Sequence, residues 1–570
     1  MSQARSKKTR DDVSIVLGGG AGQGIQTIES ILTTIFKQTG HHVFAVKEYM
    51  SRIRGGLNTT EIRISGQAAA AYVERIDILL PMEDQVIEHV HSRITPDTII
   101  IGEKGRIGSG PNSFEVPVSD IAREFGNKLY SNTIMAGIVV GLCELSEQTL
   151  AASLENYFAA KDEEIIRNNL AAGKKGVSIG QRLRVENNLE FPVQSHPENE
   201  QHMIISGSEA VALGALAGGC NFCAAYPMSP ATGVFTFLAQ HCHDFGVIVE
   251  QVEDEISAIN MALGSWYAGG RALVSTSGGG FALMTEGVSL AGMLELPLVV
   301  HLGQRPGPAT GLPTRTEQGD LELVLHGGHG EFPRLVLAPV SVESAYTLMQ
   351  RAFLISDACQ VPVFVLTDQF FLDAMVTVPG FTIPEESPSL HIIKTEADYC
   401  RYKLTDDGVS PRGIPGFGQG IVCVDSDEHD ERGQITESAG MRTMMTDKRL
   451  KKMERVKDYA LPPLFYGPDD YSVLVLCWGS NYKAVCEAHD LLGPSKLAVL
   501  CCEQLFPVPL ELAAYTEKAD TIVCLENNAT GQFARLLKAE LGIEVQHCQL
   551  KYDGMPFSVE EIFRYLENYI

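Results

Sequence analysis

Short β-branched apolar runs, each closed by glycine or proline and followed by helical periodicity, recur along this chain. They confine it to an α/β architecture with parallel sheets. The first run is VSIVL (13–17), followed by GGGAGQG (18–24) and IQTIESILTTIFKQTG. In that last stretch Ile25, Ile28, Ile31, Leu32 and Ile35 fall at helical spacing. HHVFAVKEY (41–49), IDILLPM (76–82) and DTIIIG (97–102) supply three more strands, and 149–184 reads as helical and charged. The stretch 186–203, with two prolines and several Asn and acidic residues, reads as a linker. ALVSTS (272–277), LPLVVHLG (296–303), PRLVLAP (333–339) and VPVFVLTD (361–368) mark a second block. YSVLVLCWGS (471–480), KLAVLCCE (496–503) and TIVCLEN (521–527) mark a third. The expected domains are 1–190, a linker at 191–203, 204–385, an irregular connecting segment at 386–465, and 466–570. At roughly 100–200 residues per domain, 570 residues agree with several domains.

The charge balance narrows the partners. Lys and Arg number 45 against 71 Asp and Glu, a net charge of -26. Such a chain is poorly suited to a nucleic-acid backbone or an anionic membrane. No stretch approaches the roughly 18 uninterrupted apolar residues of a membrane span. MSQARSKKTRDD leads into no apolar signal core, and 13 scattered cysteines suit reduced thiols, so a cytoplasmic location is expected.

Three segments carry chemistry. GGGAGQG lies between a strand and a helix, where glycines let a backbone approach a diphosphate. A dinucleotide site also wants an acidic residue after the second strand, about 20 residues on. Here Lys47, Arg52 and Arg54 lie there, which suits a phosphorylated ligand other than NAD. The competing reading is tight strand–helix packing beside a solvated basic loop. In YPMSPATG (226–233), two prolines flank Ser229 and present it in a rigid turn at a strand end. In EQVEDEISAINMALGSWYAGGRALVSTSGGG (250–280), Glu255 is followed by Ala at +3, Ala at +7 and Gly at +9. Acidic residues are favoured at helix starts in any case, which is the plain reading for Glu250 and Glu253.

The spacing from Glu255 resembles the cofactor-activating helix of thiamine diphosphate enzymes, whose Glu bonds to N1′ of the aminopyrimidine. A buried carboxyl suits the proton sharing that this requires. Across nearly the whole chain the ordered motifs resemble the alpha subunit of 2-oxoacid:ferredoxin oxidoreductases, in the form with the gamma domain fused at its N-terminus. They are GGGAGQGIQT with EYMSRIRGG, YPMSP, EDEISAINMALG, TSGGGFALMTEG, RPGPATGLPTRTEQGDL, GHGEFPR, DDGVSPRGIPG, EHDERG and ENNATGQFARLLKAE. The resemblance implies a Rossmann-like gamma domain, a thiamine diphosphate-binding pyrimidine domain and a transketolase C-terminal-like domain.

It also implies CoA-dependent oxidative decarboxylation of 2-oxoglutarate to succinyl-CoA, with electrons passing to ferredoxin. Reductive carboxylation would follow given a strong enough reductant. Pyruvate or a branched-chain 2-oxoacid is the alternative substrate. By the same resemblance Glu255 is catalytic and, with Ser277, Gly278 and Gly279, binds the thiamine cofactor. Ser229, where the family has Thr, and Arg315 contact the 2-oxoacid, with Arg305 the second choice of cation. Gly22, Gln23, Gly24, Lys47, Arg52 and Arg54 are the CoA candidates, His326 and His329 are weaker active-site candidates, and Arg412 would help close over the site.

No Gly-Asp-Gly with a downstream Asn is present, and the one CxxC, at Cys220 and Cys223, has no second pair at cluster spacing. No metal ligands are therefore expected in this chain. A beta subunit is expected to supply Mg²⁺ and a [4Fe–4S] cluster, in an αβ or (αβ)₂ assembly. Two other readings remain: a non-catalytic CoA- or nucleotide-binding subunit, and an NAD-type dehydrogenase resting on the glycine loop alone.

Overall fold

The computed structural model describes residues 11–20, 23–50, 56–108, 110, 112–191, 193–384 and 390–570. The chain forms two compact units, Met1–Ile205 with Ala374–Gly380, and Ser206–Asp373 with Phe381–Ile570. Among the described residues the architecture is α/β, built on three sheets of eight, seven and five strands.

The eight-stranded sheet belongs to the first unit. Ser113–Val116, Ile99–Glu103, Ile78–Pro81 and Asp12–Gly20 run parallel in that order. Beside Asp12–Gly20 lies Leu57–Ser65, antiparallel both to it and to His42–Glu48. The sheet is thus mixed, where the sequence pattern predicts an all-parallel one. Leu57–Ser65 escaped that pattern because its alternate residues are charged or hydroxylated. The structure hides them by pairing: Arg63 Nε lies 2.7 Å from Asp12, and Glu61 lies 2.6 Å from Arg93. Met375–Val378 adds antiparallel to His42–Glu48, so these residues serve the first unit and not the second block.

Behind the sheet, helices Tyr130–Leu142 and Glu163–Asn187 approach backbone to backbone. A methyl group on Gly137 would strike the Gly173 carbonyl, and one on Gly176 the Ile134 carbonyl. Glycine is demanded there by contact and not by turn geometry.

In the second unit the seven-stranded sheet runs Gln504–Phe506, Leu335–Leu337, Pro362–Asp368, Leu298–Gln304, Ala272–Thr276, Phe222–Ala225, Ile248–Gln251. All neighbours are parallel except Gln504–Phe506, which pairs antiparallel with Leu335–Leu337. Phe222–Ala225 connects outward to the edge strand Ile248–Gln251, whereas Ala272–Thr276 connects the other way to Leu298–Gln304. The crevice between these diverging connections is where open parallel sheets receive ligands. The five-stranded sheet follows, ordered Leu464–Tyr466, Leu497–Cys502, Val473–Trp478, Thr521–Glu526, His547–Leu550. Cys220, Cys223, Cys501 and Cys502 are buried in these layers.

Buried ion pairs fasten the segment after 390 to the seven-stranded domain. Asp357 accepts from Arg271 Nη1 at 2.5 Å and from Arg412 Nη2 at 2.6 Å, all three being buried. Burial would raise the Glu295 carboxyl's pKa, but the Lys452 and Lys448 ammonium groups outweigh it and hold that pKa far below the usual range. Arg412 also donates to the Trp266 carbonyl, at the far end of the helix Glu255–Tyr267. Eleven residues at about 1.5 Å each separate that end from Glu255. Arg412 is therefore a brace and does not close over the crevice as the sequence suggested.

Asp357→Ala would strand two buried guanidinium groups. The expected loss is about 3–5 kcal/mol of unfolding free energy, read from urea denaturation of the full chain.

Candidate functional site

The crevice is built from residues that leave the carboxyl ends of neighbouring strands. After Ile248–Gln251 the chain enters the helix Glu255–Tyr267, capped by Asp254, whose Oδ1 accepts from Ser257 N at 2.7 Å. Because Asp254 serves the helix end, Glu255 is free to turn inward. It is only 3% exposed, and its Oε1 has no hydrogen-bond partner. Glu250 and Glu253 are exposed, as ordinary acidic residues at a helix approach. Opposite Glu255 stand Thr276 and Gly280. A methyl on Gly280 would lie 2.7 Å from Glu255 Oε1 and would strike the Thr276 hydroxyl.

After Ala272–Thr276, Ser277 caps the helix Gly278–Leu294 in an extended conformation. Its hydroxyl is fully buried, caps no backbone group and has no partner. Gly278 is buried and Gly279 exposed. Over Gly278 sits the carboxyl of Asp320, which a methyl at 278 would strike. Asp320 N donates to Gln304 Oε1 at 3.0 Å, while its own Oδ2 is buried and unpartnered. Burial, reinforced by Glu317 and opposed by Arg305, raises the Asp320 pKa to about 7.

Burying a polar atom without a partner costs on the order of 1–3 kcal/mol. Three such atoms in one crevice, on Glu255, Ser277 and Asp320, mark a place built for a polar ligand. Gly280 admits the Glu255 side chain beside it, and the unpartnered Glu255 Oε1 fits the ring nitrogen of an aminopyrimidine.

The turn after Phe222–Ala225 brings Ser229 to the same strand ends, with a cis Ser229–Pro230 peptide. Arg305 Nη1 donates to the Ser229 carbonyl at 2.6 Å. These two predicted residues are therefore in contact. Arg315 is half-buried on the segment 314–322, which the C-terminal part of the unit pins on several sides. Thr316 N donates to Gly554 O at 3.0 Å, Gln318 N to Asn527 O at 2.6 Å and Gln318 Nε2 to Trp478 O at 2.9 Å. Asn528 Nδ2 donates to Gln318 O at 3.2 Å, and Gln532 Nε2 to Gly319 O at 2.7 Å. The stretch ENNATGQFARLL is thus a clamp on the Arg315 segment. Glu526, fully buried, closes it by accepting from Phe533 N at 2.9 Å and Ala534 N at 3.1 Å. His326 and His329 are exposed.

In the first unit, Gly24 caps the helix Ile25–Gln38 at φ 82°, against the Asn132 side chain. Gln23 accepts from Gly20 N at 3.2 Å, and Lys47 pairs with buried Glu29 at 3.2 Å. Gly22, Arg52 and Arg54 lie outside the described residues. Among the described residues no group of three His, Cys, Asp or Glu side chains is placed to hold a metal ion.

Thr276, Ser277 and the glycines 278–280 were expected from sequence to form a cofactor-side loop after a strand, whereas Asp320 was not singled out. Asp320 stands inside RTEQGDL, but nothing local tells a buried acid from an exposed one.

Two family models match the chain. Residues 213–448 match "Pyruvate flavodoxin/ferredoxin oxidoreductase, thiamine diP-bdg", and 14–179 match "Pyruvate ferredoxin/flavodoxin oxidoreductase". The 2-oxoacid:ferredoxin oxidoreductase subunit alpha of a Sulfolobus species is 29% identical over 96% of each chain. The 2-oxoglutarate synthase subunit KorA of Archaeoglobus fulgidus is 31% identical over 57% of this chain and 88% of its own. The chain is similar to a solved structure, 2-oxoglutarate:ferredoxin oxidoreductase from Magnetococcus marinus with 2-oxoglutarate, coenzyme A and succinyl-CoA bound. That match has a TM-score of 0.92 and 29% identity, covering 98% of this chain and 99% of that one.

The raised pKa of Asp320 makes a stability prediction. The folded chain holds this proton more tightly than the unfolded chain, so stability contributed here falls as pH rises from the unfolded value through about 7. Asp320→Asn is expected to raise the melting temperature at alkaline pH, with the gain shrinking toward acid pH, in thermal melts across a pH series.

Proposed function

Because the chain belongs to the alpha subunits of the 2-oxoacid:ferredoxin oxidoreductases, we propose that it forms the aminopyrimidine-binding half of an active site that oxidatively decarboxylates 2-oxoglutarate to succinyl-CoA, with electrons passing to ferredoxin. The observation that carries this reading is the buried Glu255 carboxyl, packed beside Gly280 with one oxygen unpartnered. When bound, thiamine diphosphate would supply the carbanion that attacks the 2-oxo carbon; such cofactors carry the hard chemistry and protein supplies placement.

Glu255 holds the proton shared with the ring nitrogen, and its burial keeps that proton from exchanging with water. Ser277, Gly278 and Gly279 line the cofactor side. Ser229 offers a hydroxyl to the 2-oxoacid. Arg315, on its clamped segment, presents a guanidinium that can fork onto a carboxylate, with Arg305 behind the Ser229 turn as a second cation. The clamp serves this role, because a guanidinium held by rigid neighbours needs little further ordering when substrate arrives.

The choice of 2-oxoglutarate draws on the KorA relatives and on the ligands of the similar Magnetococcus marinus enzyme. Pyruvate or a branched-chain 2-oxoacid is the alternative. The glycine-loop unit is the CoA candidate, through Gln23, Gly24 and Lys47 and the further residues Gly22, Arg52 and Arg54.

A beta subunit supplies the Mg²⁺–diphosphate grip and the [4Fe–4S] cluster in an αβ or (αβ)₂ assembly. The elements that carry Ser229, Glu255 and Ser277 leave Tyr226, Ile256, Met261 and Leu283 exposed, as a surface awaiting a partner would. No helix among the described residues is long and apolar enough to cross a membrane. Thirteen free thiols fit the reducing interior of a cell, and we place the enzyme in the cytoplasm.

The test is co-expression with the partner chain, followed by CoA-dependent dye reduction across a panel of 2-oxoacids, with 2-oxoglutarate expected to give the highest kcat/KM. Inactivity of a cofactor-loaded complex on every 2-oxoacid would refute the reading. Glu255→Gln keeps the shape but cannot share the proton, and turnover of that complex is expected to fall by about 10²–10⁴-fold. Unchanged turnover would instead favour a non-catalytic CoA- or nucleotide-binding subunit.

A further inference from the structure

One buried carboxylate at the edge of the seven-stranded sheet has no part in the reading above. Asp368 is the last residue of the strand Pro362–Asp368. In the strand register it stands opposite Gln304. Both side chains are buried, and both reach across to the segment that carries Arg315. Gln304 Oε1 accepts from Asp320 N at 3.0 Å, near one end of that segment. Asp368 Oδ1 accepts from the Thr316 hydroxyl at 3.1 Å, one residue from Arg315. Two register-paired residues therefore hold the segment at two points.

Thr316 is spent on this junction. Its N–H donates to Gly554 O at 3.0 Å, and its hydroxyl also accepts from Phe370 N at 3.2 Å. Arg315 beside it lays its stem against bare backbone. A methyl on Gly554, which has φ 84°, would stand 3.1 Å from Arg315 Cβ and 3.3 Å from Cγ. The root of the Arg315 side chain is thus fixed by Gly554 on one side and, through Thr316, by Asp368 on the other. The remaining partners of Asp368 come from elsewhere in the unit. Phe371 N donates to Oδ1 at 2.9 Å, and Ser480 Oγ to Oδ2 at 2.6 Å. Ser480 precedes the helix Asn481–Leu492, and Asn481 Nδ2 donates to Gln318 Oε1 at 2.9 Å, again on the Arg315 segment. A carboxylate has two acceptor oxygens and no donor, and here each oxygen takes a hydroxyl proton. An amide would turn one oxygen into a donor and leave one hydroxyl without its acceptor.

We propose that Asp368 is a positioning residue of the 2-oxoacid site: through the Thr316 hydroxyl it sets where the Arg315 guanidinium stands when it meets the substrate carboxylate. The inference rests on the reading of Arg315 as the cation of that site. A guanidinium that forks onto a carboxylate needs two N–H groups aligned at once, so a shift at its root weakens binding. The effect belongs in KM for the 2-oxoacid, while kcat and KM for CoA stay near their wild-type values.

The experiment uses the assembled complex with two independent cuts in the same link. Asp368→Asn removes one acceptor oxygen. Thr316→Val removes only the hydroxyl, keeps the branched shape and leaves Asp368 its other partners, so it decides the matter even where the first variant folds poorly. Each is expected to raise KM for 2-oxoglutarate on the order of tenfold, about the worth of one hydrogen bond to a charged group, with kcat and KM for CoA nearly unchanged. Combined with Arg315→Lys, which keeps a cation but cannot fork, the loss from Asp368→Asn is expected to overlap with that of Arg315→Lys instead of multiplying it. A Thr316→Val complex with wild-type KM for 2-oxoglutarate overturns the proposal. So does a loss spread equally over kcat and KM for CoA, which would make Asp368 a strut of the fold alone, and so do losses that multiply with Arg315→Lys. All three leave the functional reading intact. A wild-type complex that turns over no 2-oxoacid overturns both.

Discussion

A carboxyl group removed from water and left with an unused oxygen is the constraint around which the second unit is organised. Glu255 can be held that way only because its neighbours relieve it of other duties. Asp254 caps the helix, Gly280 leaves room, and Thr276 presents a hydroxyl instead of a cation. A lysine or arginine in the wall would have paired with the acid and closed the site. The chain tolerates the cost of an unsatisfied buried oxygen where a ligand would repay it.

Rigidity around that carboxyl comes from two kinds of contact. Apolar packing of parallel strands fixes the strand ends, and polar clamps fix the loops that leave them. The segment bearing Arg315 and Asp320 has little regular structure of its own and takes its shape from Asn527, Asn528, Gln532 and Gly554. On the far side, Arg271, Asp357 and Arg412 hold the connecting segment against the same domain with buried charges. Removing one partner from such a network leaves the others exposed to the full cost of burial.

Much of the layered architecture was legible in local pattern. The runs at 272–277, 296–303, 361–368 and 471–480 became strands because β-branched and apolar residues buried on both faces have few other stable arrangements. Leu57–Ser65 was not legible, since its charged residues look like a surface loop until Asp12 and Arg93 are seen to neutralise them. The close helix pair of the first unit was hidden for a related reason. Glycines spaced along a charged helix suggest weakness until a second glycine-bearing helix is laid against it. Arg412 was misread because a cation in a Gly- and Pro-rich stretch looks solvent-facing, whereas it is buried beneath Asp357 and Trp266.

Sequence alone determined the α/β class, the order of the strand-bearing blocks, the family resemblance and the choice of Glu255, because these follow from residue type and spacing along the chain. Tertiary structure decided which acids lose their water. Glu250, Glu253, Glu255 and Asp320 are chemically alike in the sequence, and only the folded chain makes two of them surface charges and gives Glu255 and half-buried Asp320 each one buried oxygen without a partner. The physical reason is that desolvation depends on atoms brought together from distant parts of the chain. Gly278, Gln304 and Asn528 surround the 314–320 segment from positions that no local pattern connects.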